Sequence, residues 1–264
     1  MSVVKSVLFV VLVGYIGAQV VLYAFQDRII YPSTGAKQTA EAPFAEVSFK
    51  TADGLDLYAW YAPPATRGAA TIIYFHGNAA KMLDAAYSVR PLVEAGYGML
   101  IVEYRGYAGN PGTPSEAAFY ADAADAYDWL KKTHDPKKIV LYGMSIGTGV
   151  ATRLATLRKA SGLVLEGGFT SLTDVAAEKY WYLPARWLLR DRYDSLARLP
   201  ELKIPLLIVH GDSDWVVPAA QARRNFAAAG DPKEMVIIPG GHHSDLPYNG
   251  ANAAVQKWLT ANKI

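Results

Sequence analysis

The residues with the most chemistry in them lie in one short run, Ile139-Val140-Leu141-Tyr142-Gly143-Met144-Ser145-Ile146-Gly147-Thr148-Gly149-Val150. Up to Tyr142 the run is aliphatic or aromatic and uncharged, the composition of a short buried strand. Beyond Ser145, the residues Ile146, Val150, Leu154 and Leu157 recur at helical spacing. Between the two stands Gly143-x-Ser145-x-Gly147. A strand that turns sharply into a helix strains the backbone of its central residue, and small residues two before and two after let strand and helix close up. The serine hydroxyl is then held above the strand end, at the positive pole of a helix. This is a nucleophile elbow, and it predicts attack by Ser145 on an electrophilic carbon. The rival glycine-rich reading is a dinucleotide loop. It needs Gly or Ala at position 152, where Thr152 stands.

A serine attacks only if a base takes its proton. Of the five histidines, His134 falls at a helix end. His76 and His210 each precede a glycine at a strand end and are expected to shape loops. His242 and His243 follow the last strand after two glycines, and one of this pair is the expected base. The base needs a carboxylate to hold its tautomer. Asp212 and Asp214 both follow the strand that ends at His210, and Glu166 ends the strand before. The chain order Ser145, Asp214, then His242 or His243 favours Asp214. The oxyanion donors are expected to be the N–H of Ile146, just after the nucleophile, and an N–H of the turn 76–79, with Asn78 ahead of Ala79. Met144, Tyr107 and Trp215 are candidates for the substrate pocket. Asp84, Asp122, Asp125 and Asp128 fall on helices and are expected on solvated faces. No His, Asp and Glu grouping has metal-ligand spacing, so neither a metal nor a cofactor is expected.

Those groups must be carried by a frame. Apolar runs at 46–50, 55–61, 71–75, 99–104, 139–142, 163–166, 205–210 and 234–238 read as strands, the first two joined by the Asp53-Gly54 hairpin signal. Helical patterns fall at about 80–95, 115–132, 146–157, 218–229 and 251–259. Strand and helix alternate, which predicts an α/β fold: a mainly parallel central sheet flanked by helices, with ligands at the carboxyl ends of the strands. The candidate catalytic groups, at 145, 214, 243 and the 76–79 turn, all sit at such ends. The segment 170–200, rich in aromatics and arginine, breaks the alternation and reads as a short helical cap insertion.

With 264 residues, 52% of them apolar and 19% charged, the chain has ample core for one such domain. Its net charge of +2 is too small to imply a nucleic-acid partner. The absence of cysteine excludes disulfides, thiol catalysis and thiolate metal sites. Residues 7–25 are apolar except for Gln19 and would span about 29 Å as a helix, close to one hydrocarbon core. The expected division is therefore a membrane-anchoring helix over 1–27 and a catalytic domain over 28–264. Breakers at Pro32, Ser33, Gly35 and Pro43 make 26–43 a connector. Lys5 and the amino terminus lie on one side of the span, Asp27 and Arg28 on the other. That distribution keeps the N-terminus cytoplasmic and sends the catalytic domain across. The alternative is secretion after signal cleavage. The best cleavage position, after Ala18, has Ile16 at −3 and is a poor site.

Taken together these motifs resemble the BEM46-like α/β-hydrolases, the group that includes the ABHD13 and ABHD17-type enzymes. The resemblance rests on Arg28-Ile-Ile-Tyr-Pro32, His76-Gly-Asn-Ala79, Glu103-Tyr-Arg-Gly-Tyr107, Pro114-Ser-Glu116, Gly143-Met-Ser-Ile-Gly147 and Phe169-Thr-Ser171. It also rests on Pro184 with Trp187-Leu-Leu-Arg190, and on His210-Gly-Asp-Ser-Asp-Trp-Val-Val-Pro218. It implies a serine hydrolase with the α/β-hydrolase fold. The family's acid is the second Asp of His-Gly-Asp-x-Asp, which is Asp214. Its base precedes a polar residue and Asp, which fits His243-Ser244-Asp245 and not His242. Its oxyanion loop maps to Asn78. Glu103, Gly167-Gly168 and Asn110 depart from the family's usual Asp, Ser-Pro and Ser. The N-terminal cysteines that tether the depalmitoylases of the group are replaced here by an apolar span. The expected substrates are carboxylic esters or thioesters, with the aromatic stretch 180–188 hinting at lipid or acyl-chain substrates. A peptidase of the same fold is the second reading, and a non-catalytic membrane scaffold the third.

Overall fold

The computed structural model describes residues 3–32, 35–66 and 68–264. The expected breaker Ser33 lies outside the described residues.

The apolar runs form eight strands: Ala45–Lys50 (β1), Asp56–Ala62 (β2), Thr71–Phe75 (β3), Gly98–Val102 (β4), Ile139–Met144 (β5), Gly162–Glu166 (β6), Leu206–Gly211 (β7) and Lys233–Ile238 (β8). They make one sheet in the order β1-β2-β4-β3-β5-β6-β7-β8. β1, β2 and β4 pair antiparallel, and every pair from β4 through β3 to β8 is parallel. Strands β3, β4, β5 and β6 are buried along nearly their whole length because helices cover both faces. One face packs under Glu116–Leu130 (α3), Ile146–Leu157 (α4) and Ala219–Ala228 (α7). The other packs under Met82–Glu94 (α2) and Asn252–Ala261 (α8). Each fully buried Leu, Ile or Val in these layers is worth about 1.5–3 kcal/mol of burial.

The chain begins with one long helix, Val3–Ile30 (α1). It is apolar enough to cross a membrane, and none of its apolar window is fully buried. The helix runs five residues into the connector read from the sequence, to Ile30. Nothing before Pro32 breaks it, and its last turn is bonded to the rest of the chain. Gln26 Nε2 donates to the Leu188 carbonyl at 3.1 Å, and Gln26 Oε1 accepts from the Arg190 N–H at 2.9 Å. Tyr31, just beyond, shares a 2.8 Å hydroxyl hydrogen bond with Tyr193. The aromatic segment after β6 folds as two short helices, Leu172–Lys179 (α5) and Ala185–Leu188 (α6); α5 packs on α6, and α6 is set against α1.

The helical carboxylates are not all solvated. Asp122 is fully buried and holds the Arg105 guanidinium, whose Nε lies 2.7 Å from Asp122 Oδ2. Asp125 accepts from the Ala52 N–H at 2.8 Å. The sequence pattern missed both because the partners lie on loops distant in the chain. His134 likewise is half-buried, its Nε2 3.0 Å from the Tyr61 hydroxyl.

Candidate active site

Ser145 stands between β5 and α4 with φ +53° and ψ −119°. A non-glycine residue at positive φ costs of order 1–3 kcal/mol and persists only where its surroundings impose it. They do so here. The Ser145 N–H donates to the Glu166 carbonyl of neighbouring β6 at 2.9 Å, and the Ser145 carbonyl accepts from the Thr148 N–H at 2.9 Å. A Cβ on Gly143 would lie 2.2 Å from the Gly147 carbonyl oxygen, so only glycine lets the strand end pass so close to the first helical turn.

Two loops bring partners to the serine. After β8, Gly240 takes φ +69° and starts the turn that carries the histidines. His243 turns inward, with Nε2 2.9 Å from Ser145 Oγ and Nδ1 2.7 Å from Asp214 Oδ2. His242 turns outward, its Nδ1 2.9 Å from the Ser213 carbonyl. After β7, Asp214 Oδ1 accepts from the Val216 and Val217 N–H groups at 2.9 and 2.8 Å. Its Oδ2 also lies 3.3 Å from Nε2 of buried His210. Burial pushes this carboxyl up, but the hydrogen bonds from His210, His243 and the Val217 backbone outweigh it and hold Asp214 far below the ordinary carboxylate range. The two alternative acids do other things. Asp212 accepts from the Gly240 N–H at 2.7 Å and braces the turn. Glu166 is fully buried and accepts a hydrogen bond from the Tyr142 hydroxyl.

Ile146 is the first residue of α4, so its N–H is one of the first-turn donors that find no partner within a helix. The opposing turn is held rigidly. His76 is buried between the Gly77 carbonyl, 2.9 Å from its Nδ1, and Glu103 Oε1, 3.2 Å from its Nε2. Asn78 Oδ1 accepts from the Tyr107 hydroxyl at 2.7 Å, and Asn78 Nδ2 donates to the Ile30 carbonyl at the end of α1, at 2.6 Å. Ala79 follows at φ +57°.

Ser145 and Asn78 line two cavities that meet over the serine. One, of about 350 Å³, runs past Met144, His243, Asp84 and Tyr248. The other, of about 860 Å³, is walled by Ile146, Phe169, Leu183 and Val217 and, on its far side, by α1. Of the three residues expected in the pocket, Met144 lines the smaller cavity. Tyr107 and Trp215 line neither. Tyr107 is buried with its ring edge-on to Tyr104 and Phe119, and reaches the site only through Asn78. Trp215 points outward, 72% exposed, with the Lys179 ammonium over its ring. Two contributors were missed from sequence. Gly167, at φ +57°, leaves room beneath the imidazole: a Cβ there would come 3.3 Å from His243 Cε1. The wall supplied by α1 was not foreseen either, because an apolar helix carries no mark of what packs beside it.

A family model described as alpha/beta hydrolase fold matches residues 70–198, and one described as serine aminopeptidase, S33, matches residues 185–246. An uncharacterised protein of Mycobacterium tuberculosis, Rv2307c, is 38% identical over 97% of this chain and 95% of its own length. Protein bem46 of Schizosaccharomyces pombe is 29% identical over 92% of this chain and 88% of its own. The lysophosphatidylserine lipase ABHD12 of Macaca fascicularis is 30% identical over 76% of this chain, which spans 56% of that longer relative. Among solved structures, the Pyrococcus furiosus esterase Pf2001 superposes with a TM-score of 0.69 at 19% identity, covering 87% of this chain and 97% of that one, and so shares the fold.

Proposed function

The chain belongs to the α/β-hydrolase family, among its BEM46-like members, and from that premise we propose that it is a membrane-anchored serine hydrolase cleaving carboxylic esters or thioesters through an acyl-enzyme. One observation carries the reading: an unbroken hydrogen-bonded path from Asp214 through His243 to Ser145 Oγ, at the floor of an apolar cavity.

In this reading His243 Nε2 takes the Ser145 proton as Oγ attacks the substrate carbonyl carbon. Asp214 keeps the Nδ1 proton on the imidazole and stabilises the imidazolium that forms. The backbone N–H groups of Ile146 and Asn78 receive the negative oxygen. Collapse of the tetrahedral adduct expels the alcohol or thiol, which takes the proton from His243. Water, deprotonated by the same imidazole, then releases the acid and restores Ser145 Oγ–H. The esterase fold of the solved relative and the lipase named among the curated ones support an ester substrate. The apolar lining of the larger cavity supports an acyl chain on it.

The anchor reading rests on the apolar, exposed α1 and on the charges flanking it, which favour a catalytic domain on the non-cytoplasmic side. The bonds from Gln26 and Tyr31 to residues 188–193 support retention of α1 over its removal as a signal peptide. A fluorophosphonate probe should label Ser145 in the wild type and leave Ser145→Ala unlabelled; equal labelling of both would overturn the assignment. A second reading, a peptidase, is favoured by the serine aminopeptidase match over residues 185–246. Faster turnover of aminoacyl nitroanilides than of nitrophenyl esters would select it.

A further inference from the structure

The cavity of about 860 Å³ is bounded on one side by the proposed anchor itself. Tyr15, Ala18, Gln19, Leu22, Gln26 and Ile29 face it, a stripe at three- and four-residue spacing on one side of α1. Residues between them, such as Val20 and Val21, are exposed and do not line the cavity. The stripe ends where Asn78 holds the Ile30 carbonyl beside Ser145. Between Tyr15 and Ile30 the helix rises about 22 Å, so the cavity is a slot that leads from the serine a long way down α1.

The depth of that slot follows from one bond. The Tyr15 hydroxyl donates to the Tyr182 carbonyl at 2.6 Å. Tyr15 lies ten residues before Phe25, the last residue of the apolar run, so Tyr182 sits about 15 Å below the end of that run along the helix axis. A helix whose apolar run fills a hydrocarbon core of about 30 Å therefore carries the Tyr182 end of the cap down with it, while Leu188, bonded to Gln26, stays level with the end of the run. The surface of the tip is aromatic: Trp181 and Trp187 are 82% and 88% exposed, with Tyr180 and Tyr182 beside them, a large apolar area that the protein leaves uncovered. Within the slot, both polar side-chain atoms of Gln19 are shielded and find no partner among the described residues. An amide left so is costly, and its hydrogen bonds can be made by what enters the cavity.

We infer that α1 is one wall of an acyl-chain site, and that substrate reaches Ser145 sideways out of the leaflet in which the inner face of α1 and the tip of the cap lie together. This rests on the reading of the chain as a membrane-anchored ester hydrolase. It makes α1 part of the recognition surface as well as an anchor. The chain lies along Ile29, Leu22 and Ala18, and the leaving group occupies the smaller, more polar cavity past His243 and Tyr248.

The test uses the full chain in phospholipid nanodiscs. Leu22→Trp, which fills the slot, should lower the ratio of kcat/KM for nitrophenyl palmitate to that for nitrophenyl acetate by about tenfold or more, the order that one methylene can be worth in an apolar pocket. Val21→Trp, on the same helix but outside the cavity lining, should leave the ratio at its wild-type value. An unchanged ratio in Leu22→Trp, or an equal fall in Val21→Trp, overturns the inference. A second measurement needs no substitution. A long-chain alkyl sulfonyl fluoride ending in a diazirine is allowed to modify Ser145 and is then irradiated. The photoproduct should map to residues 15–22 of α1. Photoproducts confined to other segments overturn the inference while leaving the hydrolase reading standing. Failure of the reagent to modify Ser145 at all removes both.

Discussion

Gly147, in the first turn of α4, rests against the carbonyl of Phe75 at the end of β3: a Cβ built on it would lie 2.0 Å from that oxygen. The neighbour is backbone in a central strand and cannot swing aside. Gly147→Ala is therefore expected to push α4 off the sheet at the serine. The cost should be about 1–3 kcal/mol of stability, the usual range for overpacking, together with slower fluorophosphonate labelling. Urea denaturation and labelling kinetics on the same preparation check it. Wild-type values in both would show that the strand and helix have room to spare.

Asp214 and Asp212 stand two residues apart and should behave differently. Asp214→Asn loses the acceptor that holds the His243 Nδ1 proton, and kcat should fall by roughly 10⁴. Asp212 bonds the Gly240 N–H and not the imidazole, so Asp212→Asn should cost far less in kcat. Steady-state kinetics with one short ester decides the matter. Comparable losses in the two variants would mean that the acid has been misassigned.

Tyr107 holds the Asn78 side chain from below. Tyr107→Phe removes that one hydrogen bond and leaves the ring packing against Tyr104 and Phe119. The expected effect is a fall in kcat of between about tenfold and 10²-fold, the order that small misplacements of catalytic donors produce. KM should stay near the wild-type value, because in the proposed mechanism the Asn78 turn acts on the transition state. A rise in KM with kcat unchanged would place Tyr107 in ground-state binding instead.

Glu166 makes a prediction about pH. Its carboxyl is pushed by burial from 4.5 to about 7, against the opposing pull of the Tyr142 hydrogen bond and of His243 and His210. The folded chain thus keeps a proton that the unfolded chain has already released between those two values. The contribution of Glu166 to stability is full below about pH 4.5, is lost as pH rises toward 7, and is level above. Glu166→Gln removes the titration. Its stability relative to wild type should improve by about 3 kcal/mol between pH 4.5 and 8. Urea denaturation of both proteins at the two pH values measures the difference directly. A difference that does not move with pH would show that Glu166 is ionised in the folded chain.

The frame was legible in the sequence because its signals are local. Each of the eight apolar runs lies within two residues of an observed strand, and the small residues flanking Ser145 announce the close approach that the geometry then shows. The three side chains singled out at strand ends, Ser145, Asp214 and His243, meet within hydrogen-bond distance. What escaped were features decided by partners far along the chain. Asp122 looks solvated on a helical wheel until the Arg105 loop folds over it. Tyr107 and Trp215 flank site motifs, but one side chain turns into the core and the other to solvent. An apolar stripe on α1 reads the same whether it meets lipid alone or also walls a cavity.

The bonds from Gln26 to Leu188 and from Tyr31 to Asp191 join residues 162 and 160 positions apart. They also set an order in time. α1 leaves the ribosome about 160 residues ahead of the residues it clasps, and Asp214 and His243 follow later still. The wall that α1 gives the chamber around Ser145 is therefore made well before the segment it closes against. Until His243 has emerged, the nascent chain carries its serine without a base and is not yet competent.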